Sequence, residues 1–189
     1  MAKLTYSMMI SLDGYINDAD GDFNWGQIDE EVHRHANAEA RRDSIAIYGR
    51  RMYEMMVYWE TADQRPEITP FEREFAEIWQ GLDKIVVSKS LDKTTTARTR
   101  LVRDFSAADM ERLKAELAKD ISISGPTVAA PFVAQGLVDE IGIYYVPIVV
   151  GSGTPFLPGI KQPLKLERIE EHSFKNGVVF VRYRVRRAA

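Results

Sequence analysis

The chain has 189 residues, 45% of them apolar and 28% charged, and a net charge of −3. That length suits one domain able to bury its own core, and the slight negative charge argues against general affinity for nucleic acid. Cysteine is absent, which excludes disulfides, thiolate zinc sites, iron–sulfur clusters and cysteine nucleophiles together. Thr5, Ser7, Ser11 and Asp13 interrupt what a signal peptide would keep apolar. No run approaches membrane-spanning length, so a cytoplasmic protein without membrane contact is expected.

In chain order, Leu4 to Leu12 reads as a mostly buried strand, followed by a loop rich in Asp, Asn and Gly from Asp13 to Trp25. Asp29 to Arg42 reads as a helix, Ser44 to Tyr48 as a short strand, and Arg51 to Met56 as a helix start. Glu60 to Pro70 reads as a surface loop. Phe71, Phe75, Ile78 and Trp79 fall at helical spacing, and Lys84 to Ser88 follows as a strand. Ser106 with Asp109 forms a capping box ahead of Met110, Leu113 and Leu117. Ile121 to Ser124 is a strand, and Gly125-Pro126-Thr127 opens a helix that ends at Gly136. Ile141 to Val150 reads as one long apolar strand. Leu164 to Ser173 and Val178 to Val185 pair as a hairpin about Lys175-Asn176-Gly177, with a two-residue Asn-Gly turn. Strand–helix alternation closed by a hairpin predicts an α/β fold: three α-β-α layers around a mixed, mostly parallel sheet.

Gly49-Arg50-Arg51 places paired positive charge where a strand turns directly into a helix. Backbone N–H groups and guanidinium forks converge there, which suits a phosphate. A solvated basic helix start is the competing reading. Ser124-Gly125-Pro126-Thr127 is a second strand-to-helix turn where glycine lets an anion approach the backbone; a tight structural turn competes. His33 and His35 diverge on a helix with no third ligand at suitable spacing, so no metal site is expected. Arg182, Arg184, Arg186 and Arg187 lie on or beyond the last strand and read as a solvated edge.

The ordered motifs SMMISLDGYI, GDFNW, YGRRMYE, VVSKSL, ISGPTVAAPF and VDEIGIYYVPIVVGSGTPFLP resemble the dihydrofolate reductase-like superfamily, in its RibD C-terminal-domain branch. The resemblance spans nearly the whole chain and implies a single domain, 1–189, that binds NADPH along the carboxyl ends of its strands beside a substrate pocket. It implies cofactor contacts from Met9, Gly49, Arg50, Arg51, Ser88, Lys89 and the run Ser124, Gly125, Pro126, Thr127 and Val128. Met52 departs from the hydroxyl residue often found there. Ser124 replaces the first of two glycines, often joined by a cis peptide in the family. The loop from Asp13-Gly14 to Trp25 is implied to cover the nicotinamide, with Glu30 and Asp13 as catalytic candidates. Trp25, Asp29, Tyr53, Trp59 and Tyr144 are the implied substrate contacts. A first-turn acid also suits a helix dipole, so Asp29 and Glu30 stay open between the two roles, and the stripe Tyr53, Met56, Trp59 stays open between pocket and core.

The activity implied is reduction of a small heterocyclic or ribosylamino-pyrimidine substrate, as in riboflavin biosynthesis. Dihydrofolate or pterin reduction and a non-catalytic NADP-binding module are the alternatives. No HxE with PCxxC motif is present, which excludes a zinc deaminase within this polypeptide. The apolar strand from Ile141 and the hairpin tail predict a homodimer.

Overall fold

The structure, a computed structural model, describes residues 1–26 and 28–186; Arg187 lies outside them. Eight strands form one sheet: β1 (Leu4–Ser11), β2 (Asp43–Gly49), β3 (Asp83–Val87), β4 (Thr99–Val102), β5 (Asp120–Ser124), β6 (Glu140–Val146), β7 (Lys165–Ser173) and β8 (Val179–Arg186). Their order is β4-β3-β2-β5-β1-β6-β8-β7. The first six run parallel, and β8 is antiparallel to both its neighbours. Helices α1 (Glu30–Ala40), α2 (Arg50–Met56), α3 (Pro70–Gly81), α4 (Ala107–Glu116) and α5 (Pro126–Ala134) flank the sheet. The expected α/β architecture with a C-terminal hairpin is therefore the one that forms. None of the helices is long and apolar enough to cross a membrane, among the described residues.

Strand alternation assigns the layers. Leu4, Tyr6, Ile47, Ile121 and Ile123 are buried against Met110 of α4 and Ala129, Phe132 and Val133 of α5. The opposite face carries two separate apolar clusters. One joins Val32 of α1 to Tyr144, Val146, Phe174, Val178 and Phe180; the other joins Tyr53 and Met56 of α2 and Trp79 of α3 to Ala46, Tyr48 and Val86. Between them run the central strands β1 and β5, paired Thr5 to Ser122 on that face. Small polar residues thus floor the gap between two greasy walls.

Several boundaries move. β4 was not expected: only Leu101 and Val102 are apolar, with Arg100 and Arg103 on either side, so a short edge strand has no hydrophobic run to announce it. The long strand from Ile141 stops at Val146, because Pro147 has no N–H for the ladder and Ile148 turns to receive the Leu12 amide. The hairpin turn is also longer than expected. Gly177 N–H donates to Phe174 carbonyl, Phe174 pairs with Val178, and Gly177 takes φ +88°; this is a three-residue loop with glycine in the left-handed position. Arg182 is not at a solvated edge: β7 lies outside β8, and the Arg182 side chain is buried among Glu39, Glu140 and Glu170.

Candidate functional site

Two strand-to-helix turns meet at the carboxyl edge of the sheet. β2 ends in Gly49 and β5 leads into Gly125, and these glycines are the N-caps of α2 and α5. A Cβ on Gly49 would lie 3.7 Å from Val128 Cβ, and one on Gly125 would lie 3.7 Å from Val128 Cγ1 and 3.8 Å from Met52 Cβ. The turns are therefore packed side by side with Val128 and Met52 between them. Gly125 has φ +105°, a conformation that side-chain-bearing residues rarely adopt, and all peptide bonds among the described residues are trans. Pro126 stands at the first turn of α5, where its missing N–H costs nothing.

Arg50 binds this edge to the turn after β3. Its Nε donates to Glu54 Oε1 at 2.7 Å, and its Nη1 donates to Ser90 Oγ at 3.1 Å and Ser90 carbonyl at 3.3 Å. Ser88, nearly buried, folds that turn by accepting the amides of Ser90 and Leu91 on its hydroxyl. Lys89 projects outward and pairs with Asp104 at 3.3 Å, and Arg51 is exposed. Sequence reasoning missed Arg103, whose guanidinium holds the carbonyls of Ser88, Leu91 and Asp92. Its only signal was a basic residue directly after the unrecognised β4. Four cations thus gather on one half of the carboxyl edge, Arg50 and Lys89 paired to Glu54 and Asp104.

The other half begins at Met9, which pairs with Tyr144 across β1 and β6. Gly26 lies directly on it, since a Cβ there would come 2.8 Å from Met9 Sδ. The segment containing Trp25 and Gly26 thus covers the end of β1, and the Trp25 indole donates to Asp22 carbonyl at 3.0 Å. A cleft of about 140 Å³ remains beside it, lined by Trp25, Val146, Pro147, Ile148, Asn176 and Val178. Pockets that enclose a small molecule are usually about 300–1,000 Å³, so this cleft is smaller than a nucleoside needs.

The remaining candidates are held in defined local roles. Asp13 accepts the amides of Val150 and Gly151; desolvation opposes ionisation, but hydrogen bonds from Ser11, Gly151 and Val150 together outweigh it and lower the carboxyl pKa. Asp29 is the N-cap of α1, its carboxylate accepting Val32 N–H at 3.0 Å. Glu30 is exposed and paired to Arg34 at 2.8 Å. Tyr53 is buried, with its hydroxyl accepting Thr95 N–H at 2.8 Å and bonded to Thr96. Tyr144 is buried with its hydroxyl 2.8 Å from His35 Nδ1, and burial raises its pKa. Trp59 packs edge-on against Phe75, at 4.7 Å between centroids. Burial, with His172 and Arg182 nearby, pushes His35 down to about 4, so this ring is neutral near pH 7. The structure therefore brings Gly49, Arg50, Gly125, Val128 and the Ser88–Ser90 turn into one edge and places Met9 under the Trp25 segment. It uses the hydroxyls of Tyr53 and Tyr144 inside the fold.

Known proteins share this frame. The Bacillus subtilis protein YyaP, itself uncharacterized, is 24% identical over 182 residues, spanning 96% of this chain and 94% of YyaP. A pyrimidine reductase-like protein of Corynebacterium diphtheriae superposes with a TM-score of 0.69 at 16% identity, over 99% of this chain and 93% of its own. Dihydrofolate reductase from Enterococcus faecalis, solved with NADP(H) and RAB-propyl, gives a TM-score of 0.62 at 13% identity over 97% and 96%. Identities this low establish a shared fold. Membership is carried by the sequence match itself, which runs from residue 2 to residue 180: the chain belongs to the RibD C-terminal domain family.

Proposed function

We propose that this protein is an NADPH-dependent reductase acting on a small heterocyclic substrate of the ribosylamino-pyrimidine type. One observation carries the reading: two glycine turns with uncapped helix starts lie side by side and are flanked by Arg50 and the Ser88–Ser90 turn. Family membership and neighbours that include a pyrimidine reductase-like protein and an NADP(H)-bound reductase support it.

The residues present fit such a cofactor. Gly125 leaves its approach clear of any Cβ, and the first-turn amides of α5 favour negative charge. On this reading Arg50, exchanging its bond to Glu54, holds the adenosine 2′-phosphate, with Arg51 and Arg103 adding positive field. When bound, a dihydronicotinamide supplies a hydride to an electrophilic C=N or C=O carbon. This chain's task is to orient the two partners over Met9 and to exclude water with the Trp25 segment. On this reading Glu30 takes part in proton supply, once separated from Arg34. Gly26 lies on Met9, and the cleft beside Trp25 is about 140 Å³, so on this reading the substrate is admitted by displacing the Trp25 side chain or its neighbours. That small cleft is also what favours the second reading, a nucleotide-binding module without turnover.

Titration of Arg50→Ala with both cofactors tests the proposal. Loss of a charge-assisted contact worth about 1.5–3 kcal/mol should weaken NADPH binding roughly ten- to hundredfold and leave NADH nearly unchanged, with the gap shrinking in high salt. Equal losses for both cofactors would move Arg50 to the pyrophosphate. No loss for either would end its assignment to a phosphate. Steady oxidation of NADPH in the presence of a pyrimidine or pterin separates the reductase from the inert module.

A further inference from the structure

We infer that His33 is a substrate-recognition residue, its Nε2 accepting a hydrogen bond from a ring N–H of the heterocycle that binds beside Met9. The inference rests on the reductase reading and assigns a residue to its substrate half.

His33 stands between the two apolar clusters on the helix α1 face of the sheet. Val32, the residue before it, is buried with Tyr144 and Val146, and Met9 and Trp25 pack against that cluster. The His33 ring faces the other way, edge-on to Trp59 at 5.9 Å between centroids and against Phe71 and Phe75 of α3 at 5.1 Å and 5.7 Å. Trp59 belongs to the opposite cluster, which also takes in Met52, the residue packed between the two glycine turns. One turn of α1 therefore reaches from the Met9 side to the wall that backs the cofactor turns. Below it, Thr5 and Ser7 of β1 and Ser122 and Ser124 of β5 are short and only half-buried although they lie on central strands. The space above that floor is open to solvent.

Asn37 fixes which ring nitrogen is free. It is buried, and its amide nitrogen donates to Phe71 carbonyl at 2.9 Å and to Glu74 Oε2 at 3.0 Å. Both amide protons are spent, so Asn37 Oδ1 faces His33 as an acceptor. His33 Nδ1, 3.1 Å from that oxygen, must then carry the proton, and the neutral ring presents a bare lone pair at Nε2. Nδ1 is tethered one turn along α1, and Nε2, across the ring, points away from that tether. Nε2 meets no donor among the described residues and is not sealed in the interior. Burial lowers the ring's pKa, against the opposing pull of Asn37, Glu72 and Glu74, so the acceptor form is the one present near pH 7.

The neighbouring polar groups are already engaged. Asp29 caps α1, and the hydroxyls of Tyr53 and Tyr144 bond to Thr95 and His35. Nε2 is left as a nitrogen acceptor beside an aromatic wall. The ligand chemistry that fits it is a flat ring with an N–H donor on its edge, and a site built to pair such a donor rejects the analogue that lacks it.

The test uses two rings and two variants. 5,6-Diaminouracil carries ring N–H groups and its 1,3-dimethyl derivative carries none; each is titrated into the full chain saturated with NADP⁺. His33→Asn keeps a donor for Asn37 and removes Nε2, whereas His33→Gln sets an amide oxygen near the Nε2 position and gives up the Asn37 bond. The parent and His33→Gln should bind diaminouracil roughly tenfold more tightly than the methylated ring, and His33→Asn should bind both about equally, with NADPH affinity parental throughout. A mere brace between α1 and α3 would shift the melting temperatures of both variants and leave the ratio between the rings at its parental value. That result, equal binding of the two rings by the parent, or binding of neither, overturns the inference. Long-range proton–nitrogen NMR of the three histidines needs no folded variant: His33 should show the Nδ1–H tautomer, with its Nε2 resonance moving when diaminouracil is added. An Nε2–H tautomer, or no movement, also overturns it. A parallel NADPH titration of the parent separates the two assignments: tight NADPH binding without discrimination between the rings removes only the role of His33, whereas no NADPH binding removes the reductase reading.

Discussion

Asp43 sits at the amino edge of the sheet, on the end of β2 farthest from the cofactor turns, with Asp120 opposite it in register on β5. Burial, reinforced by Asp120, pushes its carboxyl up to about 7 despite a hydrogen bond from Ser122 and the nearby Arg42. An acid with its folded pKa raised above its unfolded value binds more protons folded than unfolded in between. Its stabilising effect is therefore complete below about pH 4 and is lost as pH rises towards 7. Asp43→Asn keeps a hydrogen-bonding partner for Ser122 and removes the titration. We expect the variant to be more stable than the parent at pH 8, by up to about 4 kcal/mol, and to lose the share of the pH dependence between 4 and 7 that Asp43 contributes. Buried His35, held at about 4, adds stability as pH rises over the same interval, so the reading is the difference between variant and parent in urea unfolding at several pH values: it should grow from pH 4 to pH 7, and a difference that stays constant would refute the assignment. Arg182 presents the opposite arrangement, a buried cation gathered by Glu39 of α1, Glu140 of β6 and Glu170 of β7. It clamps a helix to two strands, and nothing local in its sequence distinguishes it from its exposed neighbours Arg184 and Arg186.

Elements that carry their own signals were legible. The Ser106–Asp109 capping box closes reciprocally at the start of α4, and Pro126 after glycine opens α5. Local spacing could not reveal contacts between distant segments. The Tyr53 hydroxyl meets Thr95, 42 residues away, so a residue at pocket spacing becomes a brace for the loop before β4. Asp29 offered a carboxylate beside Glu30, and only the start of α1 at Glu30 shows that it caps the helix. The two glycine turns were legible because glycine and a following helix announce themselves, whereas Arg103 depended on a strand without a hydrophobic pattern. A further long-range device joins the loops after β1 and β6. Ile16 donates to Thr154 carbonyl, Thr154 to Asn17 Oδ1, and Phe156 to Gly14 carbonyl. Gly153, at φ +147°, closes the pair, and a Cβ there would overlap the Asn17 carbonyl. Gly153→Ala should cost roughly 1–3 kcal/mol and loosen the base of the Trp25 segment. Thermal melting together with proteolysis between Leu12 and Trp25 measures it; an unchanged melt and unchanged cutting would show that the loops are not coupled through this glycine.

At the scale of the whole molecule, the sheet is asymmetric in what covers it. Helices α4 and α5 pack on one face of the sheet, and the same apolar cluster takes in Phe156, Leu157, Ile160 and Leu164 from the loop after β6, with Phe156 stacked on Tyr6 of β1. Half-buried Tyr145, Val181, Tyr183 and Val185 lie there, and Leu166 of β7 joins them opposite Val185, 39% exposed. β6 itself lies inside the sheet between β1 and β8, so it supplies no edge for association, contrary to its apolar sequence. We propose that two copies associate through the outer face of the hairpin. Pairing through the open edge of β7 is disfavoured, because the register shifts between Arg168 and Glu170 and charged Glu167, Arg168 and Glu171 line the strand; bulges and charge are the usual protection against edge-to-edge growth. A face-to-face contact closes by two-fold symmetry and stops at two. A stable contact of this kind needs about 800 Å² from each copy, more than one leucine, two valines and two half-buried tyrosines provide alone, so the neighbouring loop must take part. Light scattering at high micromolar concentration should give twice the monomer mass. Leu166→Glu, altering an already exposed side chain, should return it to the monomer with its melting temperature scarcely changed at low concentration. A parent that scatters as a monomer, or a Leu166→Glu variant that remains a dimer, would place the contact elsewhere or remove it.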